Sequence, residues 1–241
     1  MQSNELQPKT SKSWKSYFLE FLMVFLAVVM GFLAESFRNR LADEQKAKLL
    51  KKAIVLDLKK DLIQLEEYTR QGEFIVSMLH RMDSLLDLNP KDVDQKDYYQ
   101  TLMNYSVMYS FTPSDKSLNQ AEEIGLLQNH QQEGLGKYSL KYQYFLKDIK
   151  LTEELSQKTY EDYLKDLVQE MTEPDLYQQV FSFPMGELES KYGIKPVSES
   201  TKGKLTYFFA QMNVIQKFLI ADADSIKLYS NKLIKELEKN D

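Results

Sequence analysis

Residues 17–34 read YFLEFLMVFLAVVMGFLA, and the fold class turns on how that stretch is read. It is apolar on every side and carries one charge, Glu20. As a helix rising ~1.5 Å per residue it covers ~27 Å, close to the hydrocarbon thickness of a bilayer. Three readings compete. A cleaved signal peptide needs a basic start and small residues at a cleavage site. Lys9, Lys12 and Lys15 supply the start, but Gly31-Phe32-Leu33-Ala34-Glu35 sets bulky residues among the small ones. A core helix would carry an apolar stripe, and this run is apolar all round. The reading adopted for 17–35 is a retained transmembrane helix, with 1–16 a short flexible tail.

Working outward, Trp14, Tyr17, Phe18 and, past the far end, Phe37 are the aromatic side chains suited to the membrane interfaces. At ~100° per residue, Glu20, Val24, Ala27, Gly31 and Ala34 share one helix face. Ala27-x-x-x-Gly31 is a small-x-x-x-small pair, which lets two spanning backbones approach closely. One reading of Glu20 is that it reaches back to the headgroups, one turn from the aromatic cluster. The other is that it heads a packing face against a membrane partner, because a carboxyl in lipid costs roughly 2 kcal/mol or more unless a partner or water meets it. Arg38, Arg40, Lys46, Lys48, Lys51 and Lys52 outnumber the lysines before the span. Counting alone would put the C-terminal side in the cytoplasm, but long domains translocate largely regardless of charge.

The pattern continues past the span. Between Glu35 and Leu88 there is no proline, and Gly72 is the sole glycine. Leu50, Ile54, Leu58, Leu62 and Leu65 form a helical stripe, widened by Leu49, Ala53 and Leu56. A long helix over 36–88 is expected, reaching ~75 Å at ~1.5 Å per residue, with a bend at Gly72 and an end at Asn89-Pro90. Further helices are expected near 97–111, 115–124, 137–172 and 200–238. Thr112-Pro113-Ser114-Asp115 caps the second of these, and Gly125 breaks it. Tyr138, Tyr142, Phe145 and Ile149, then Tyr160, Tyr163, Leu167 and Met171, stripe the third. Residues 175–198, with Pro184, Gly186, Gly193 and Pro196, read as the most irregular stretch, a mobile or partner-binding loop. In the last helix Leu205, Phe208, Met212, Ile215, Leu219, Asp222, Ile226, Tyr229 and Leu233 keep a near-heptad rhythm and mark an assembly helix. Asp222 breaks the apolar pattern. Either the contact drifts to Ala223 and leaves Asp222 at the edge, or a buried polar group sets register. The fold class is all-α: a transmembrane helix continuing into a long helix, followed by an antiparallel helical bundle.

Two stretches carry a resemblance. Leu19-Glu20-Phe21 through Ala34-Glu35-Ser36-Phe37-Arg38-Asn39-Arg40 is one. Ser114-Asp115-Lys116-Ser117-Leu118-Asn119-Gln120 to Gly125-Leu126-Leu127-Gln128-Asn129, with Leu135 and Tyr138, is the other. They resemble an uncharacterised family of small membrane proteins from Bacteroidota-type bacteria, the DUF6090-like group. The family's aromatic Trp after the span is replaced here by Phe37 nearby. The resemblance covers about a third of the chain and brings no activity. It implies a bacterial inner membrane, the N-terminus in the cytoplasm and the C-terminal domain in the periplasm.

The inventory of reactive groups is thin. The chain has 241 residues, a formal net charge of −5, no cysteine and two histidines, His80 and His130. Absence of cysteine removes disulfides, thiol nucleophiles and thiolate metal sites. No phosphate loop, G-x-S-x-G or H-E-x-x-H occurs. His80, beside Met78, Leu79 and Met82, reads as a structural or surface residue. Mild acidity gives no nucleic-acid footprint. Asn104-Tyr105-Ser106 fits a glycosylation pattern, void in a bacterium. The tyrosines fall at helical spacing and read as packing residues rather than a ligand platform.

No cofactor, metal or catalytic residue is expected. The expected partners are the bilayer and either a second copy or another membrane protein. The leading function is a membrane-anchored helical scaffold or interaction subunit. The alternatives are a subunit of an ion- or proton-conducting assembly using Glu20, and a ligand-sensing ectodomain.

Overall fold

The computed structural model describes residues 13–89, 91–105, 109–127, 133–171 and 194–239. Among them every regular element is helical. α1 spans Trp14–Leu86, α2 Gln95–Tyr105, α3 Lys116–Glu123 and α4 Glu133–Thr159. A π-helical turn, Tyr160–Leu164, leads into α5, Lys165–Met171, and α6 spans Glu199–Glu238. The tail before residue 13, Pro90, His130, the connection at 129–132, Glu173-Pro174 and most of the expected loop lie outside the described residues.

The chain divides into two units, Met1–Leu50 and Lys51–Asp241. The described part of the first is one helical segment, the start of α1. Among its residues none is buried. It holds an 18-residue window of mean hydropathy 2.3, long and apolar enough to cross a membrane. Phe21 and Phe25, one turn apart, stack at 6.2 Å along its surface.

The second unit has its own core. On α1 the buried positions are Ile54, Leu58, Asp61, Leu65, Tyr68, Gly72, Ile75, Leu79, Met82 and Leu85. Up to Met82 they fall alternately four and three residues apart, the spacing that keeps one face of a helix turned to a neighbour. Leu62, which the sequence stripe included, is only half-buried, and Asp61 takes its place inside. α6 turns Leu205, Phe208, Met212, Ile215, Leu219, Ile226 and Leu233 inward. Its start is set by Ser198, whose Oγ accepts the Thr201 N–H at 3.1 Å in an extended backbone conformation.

Three local features explain departures from the expected ranges. Helix was expected through residue 111, but Tyr109–Asp115 is non-helical. Its amides bond to side chains on other helices, as described below. Gly125, at φ +71°, ends α3. Leu126 N–H donates to Ala121 O and Gly125 N–H to Glu122 O, both at 2.9 Å, the paired bonds that close a helix over a left-handed glycine. One continuous helix was expected over 137–172, whereas the π turn at 160–164 rephases it. Tyr163 is left exposed, while Leu167, Val168 and Met171 are buried.

Gly72 leaves α1 helical. Its role is close approach. A Cβ there would sit 2.6 Å from the Tyr109 hydroxyl and 2.9 Å from Ile220 Cγ1. Alanine favours a helix by ~1 kcal/mol over glycine, but overpacking a filled site costs ~1–3 kcal/mol. Gly72→Ala is therefore expected to lower stability by about 1 kcal/mol in urea unfolding of the detergent-solubilised chain. Gly203→Ala, where nothing lies within 4 Å, is expected to raise it by ~0.5–1 kcal/mol.

Candidate functional site

The five residues of the small-residue face, Glu20, Val24, Ala27, Gly31 and Ala34, all lie exposed on α1. Gly31 has nothing within 4 Å of where its Cβ would stand. Trp14, Tyr17, Phe18 and Phe37 are exposed on the same helix. The residues marked as an assembly helix are placed differently. Leu205, Phe208, Met212, Ile215, Leu219, Asp222, Ile226 and Leu233 are buried within the chain, and Tyr229 is half-buried. Their rhythm is taken up by intramolecular packing, because α4 supplies the neighbouring helix. Phe145 stacks on Tyr229 at 5.8 Å, and Tyr163 lies beside Phe208 at 6.5 Å.

The polar centre of the second unit was not read from the sequence. Tyr109–Asp115 forms a strap held by two carboxylates. Near one end the Phe111 N–H donates to Glu153 Oε1 at 2.8 Å. Near the other the Ser114 N–H lies 3.0 Å from each oxygen of Asp61, and the Tyr142 hydroxyl donates to Asp61 Oδ2 at 2.8 Å. Asp61 is fully buried. Burial pushes its carboxyl above the ordinary range, opposed by the bonds from Tyr142 and Ser114. Burial likewise raises Glu153, against the Phe111 amide.

The aromatic residues close over this centre. Tyr109 packs edge-on to Tyr68 at 4.5 Å and donates its hydroxyl to Gln216 Oε1 at 2.7 Å. Tyr142 and Tyr68 are shifted far upward, first by burial and then by the carboxylates Asp61 and Glu153 beside them. These tyrosines stay neutral and serve as donors and packing groups.

At the break in the α6 rhythm both residues turn inward. Ala223 is fully buried and Asp222 is 8 % exposed. Burial, then the nearby Asp148, pushes the Asp222 carboxyl up to about 6. Among the described residues no group of three or more His, Asp or Glu side chains could hold a metal ion. His80 is exposed on α1. A cavity of about 270 Å³ lies where α1 ends and α6 begins, lined in part by Leu85, Val93, Tyr98, Ile194 and Val197. The Asp87–Lys202 ion pair, 2.8 Å long, also belongs to that lining.

The arrangement defines an all-helical chain whose N-terminal helix carries an unburied apolar segment and whose second unit is knit by an internal polar strap. Comparison with protein-family models, with curated proteins and with solved structures finds no match to this chain.

Removing Asp61 would leave a buried amide and a buried hydroxyl without an acceptor, at ~1–3 kcal/mol for each group left unpaired. Asp61→Ala is expected to destabilise by at least about 3 kcal/mol, and Asp61→Asn, which keeps one acceptor, by less than half of that. Asp222 gives a pH signature. Its folded value stands above its ordinary 3.8, so its contribution is fully present below that value and is lost as pH rises through about 6. Asp222→Asn is expected to flatten stability over that window and to stabilise at pH 7 by on the order of 1 kcal/mol, measured by urea titration at several pH values.

Proposed function

We propose that this chain is a single-span membrane protein whose helical second unit serves as a scaffold or interaction subunit, associating with itself or docking a partner complex, without catalysis. One observation carries the reading. The apolar window of α1 is wholly unburied, although the same helix has a regular buried face further on. Soluble monomers rarely expose contiguous apolar patches beyond a few hundred Å², and an all-round apolar helix of this length has a natural solvent in lipid. The Ala27 and Gly31 pair on its surface fits close packing against another spanning helix.

In the second unit the helices of residues 51–241 form an antiparallel bundle. Supporting this, Lys59 meets Glu238 and Asp87 meets Lys202 as ion pairs, while Thr69 accepts from Lys227 between them. The contacts climb α1 as they descend α6. The carboxylates of Asp61 and Glu153 are occupied by main-chain amides, which favours a structural reading over acid–base chemistry. The resemblance to the DUF6090-like group supports a bacterial inner membrane, with residues 1–16 in the cytoplasm and the second unit in the periplasm.

The chain contains no cysteine, so topology can be read from single introduced thiols. With intact spheroplasts, Ser225→Cys is expected to react with a membrane-impermeant maleimide, and Ser13→Cys only after permeabilisation. The reverse pattern overturns the orientation. Release of the whole chain by alkaline carbonate overturns the anchor.

A further inference from the structure

Among the described residues of the second unit, α4 and α6 each carry exposed apolar side chains. On α4, Leu140, Tyr144, Leu151 and Leu155 are exposed, Leu140 at 68 %. On α6, Tyr207, Val214, Phe218 and Leu228 are exposed, Phe218 at 61 %. Each set repeats at three- and four-residue multiples, one stripe per helix.

The two stripes lie on the same side of the α4–α6 seam. α4 meets α6 through Phe145 and meets α1 through Tyr142. At ~100° per residue its stripe stands ~100° from the Phe145 line, turned away from Tyr142. α6 meets α4 through Tyr229, and α1 through Ile220 and Lys227. Its stripe stands ~55° from the Tyr229 line, turned away from Ile220. Together the eight side chains expose roughly 900 Å² per copy, beyond the largest patch of an ordinary monomer.

We propose that this face pairs with the same face of a second copy, two α4–α6 hairpins closing into a four-helix arrangement in which α4 of each copy lies against α6 of the other. The inference rests on the scaffold reading above and names its partner. Two copies present roughly 1,800 Å², within the range of a stable specific interface.

The rim charges fit this pairing. Within one chain Phe145 stacks on Tyr229, Tyr163 lies beside Phe208, and Glu236 lies against Gly134. That register puts Lys147 level with Asp224 and Glu154 level with Lys217. All four are exposed. In each helix they stand seven residues apart, on the edge of the stripe away from the intramolecular seam. A twofold axis along the helices brings Lys147 opposite Asp224 of the second copy, and Glu154 opposite its Lys217. Both contacts join opposite charges, and both occur twice. Asp224 already pairs with Lys227 within its own helix at 2.7 Å, while Lys147, Glu154 and Lys217 make no ion pair among the described residues.

The test uses the full chain in lipid vesicles. Lys147→Cys protein mixed with Asp224→Cys protein is expected to give a disulfide-linked dimer on mild oxidation, at least tenfold above Lys147→Cys mixed with Lys59→Cys. Phe218→Glu, with helicity unchanged, is expected to cut that yield at least tenfold. Lys217→Glu is expected to weaken dimerisation about three- to tenfold, since exposed ion pairs are individually small, and adding Glu154→Lys to restore it. A yield equal to the control pair, or one untouched by Phe218→Glu, overturns the proposal. A dimer that survives Phe218→Glu but is lost in Gly31→Leu overturns this face and leaves the scaffold reading standing. A strictly monomeric chain that captures no membrane partner sinks both.

Discussion

A backbone amide taken out of water needs an acceptor, and the second unit of this chain depends on two carboxylates that provide one. Tyr109–Asp115 crosses the packed helices with no helix or sheet ladder of its own. Left unpaired, each buried N–H would cost ~1–3 kcal/mol. Asp61 takes the Ser114 amide and Glu153 takes the Phe111 amide. Because Asp61 belongs to α1 and Glu153 to α4, the strap ties those two helices. The Tyr109–Gln216 bond extends the tie to α6. Charge burial is the cost, visible in the upward shift of both carboxyls. Three donors offset part of it: the two strap amides and the Tyr142 hydroxyl. Removing any one of these leaves a neighbour unsatisfied, so the network acts as a unit rather than as separate bonds.

How much of this was legible follows from how local each signal is. The apolar segment at 17–34 is complete in itself and needs no partner to be seen. The end of α3 was equally plain, since only a glycine takes φ +71° without strain. The core face of α1 was read nearly right and misread at one place. Choosing positions by apolar type drew in Leu62 and passed over Asp61. Choosing them by spacing, four and three in alternation from Ile54, would have put both Asp61 and Gly72 on the buried face. A charged residue and a glycine in a heptad frame are therefore signals of their own. One marks a buried acceptor, the other a close crossing. The strap had no such local mark. Its acceptors lie 42 and 53 residues away along the chain, and only tertiary packing brings them near.

α6 raises a related point about double periodicity. Its inner rhythm was read as an assembly seam because a near-heptad run usually meets another helix. It does meet one, but within the chain, and α4 is the helix it meets. The second stripe, Tyr207, Val214, Phe218 and Leu228, sits on the opposite side and is more dilute. Seven-residue steps separate Tyr207 from Val214, and four separate Val214 from Phe218. A helix apolar on two sides has two neighbours to satisfy, and one fold supplies only the first. The same holds for α4, whose Tyr142 and Ile149 face inward while Leu140 and Leu151 do not.

The distribution of charge separates the two kinds of uncovered apolar surface in this molecule. Within the 17–34 segment there is no charged rim along the helix, only Glu20 near its start, with Lys15 before it and Glu35, Arg38 and Arg40 after it. Such a surface suits a solvent, which makes no demand on register. The α4–α6 face is edged by charges of both signs at seven-residue intervals. A fluid hydrocarbon phase would gain nothing from that alternation, and would pay to desolvate it. Periodic charge beside an apolar stripe has value only against a surface with a matching period and fixed register. A second copy of the same hairpin has that period by construction, so the face that the fold leaves open is also the face that its own sequence complements.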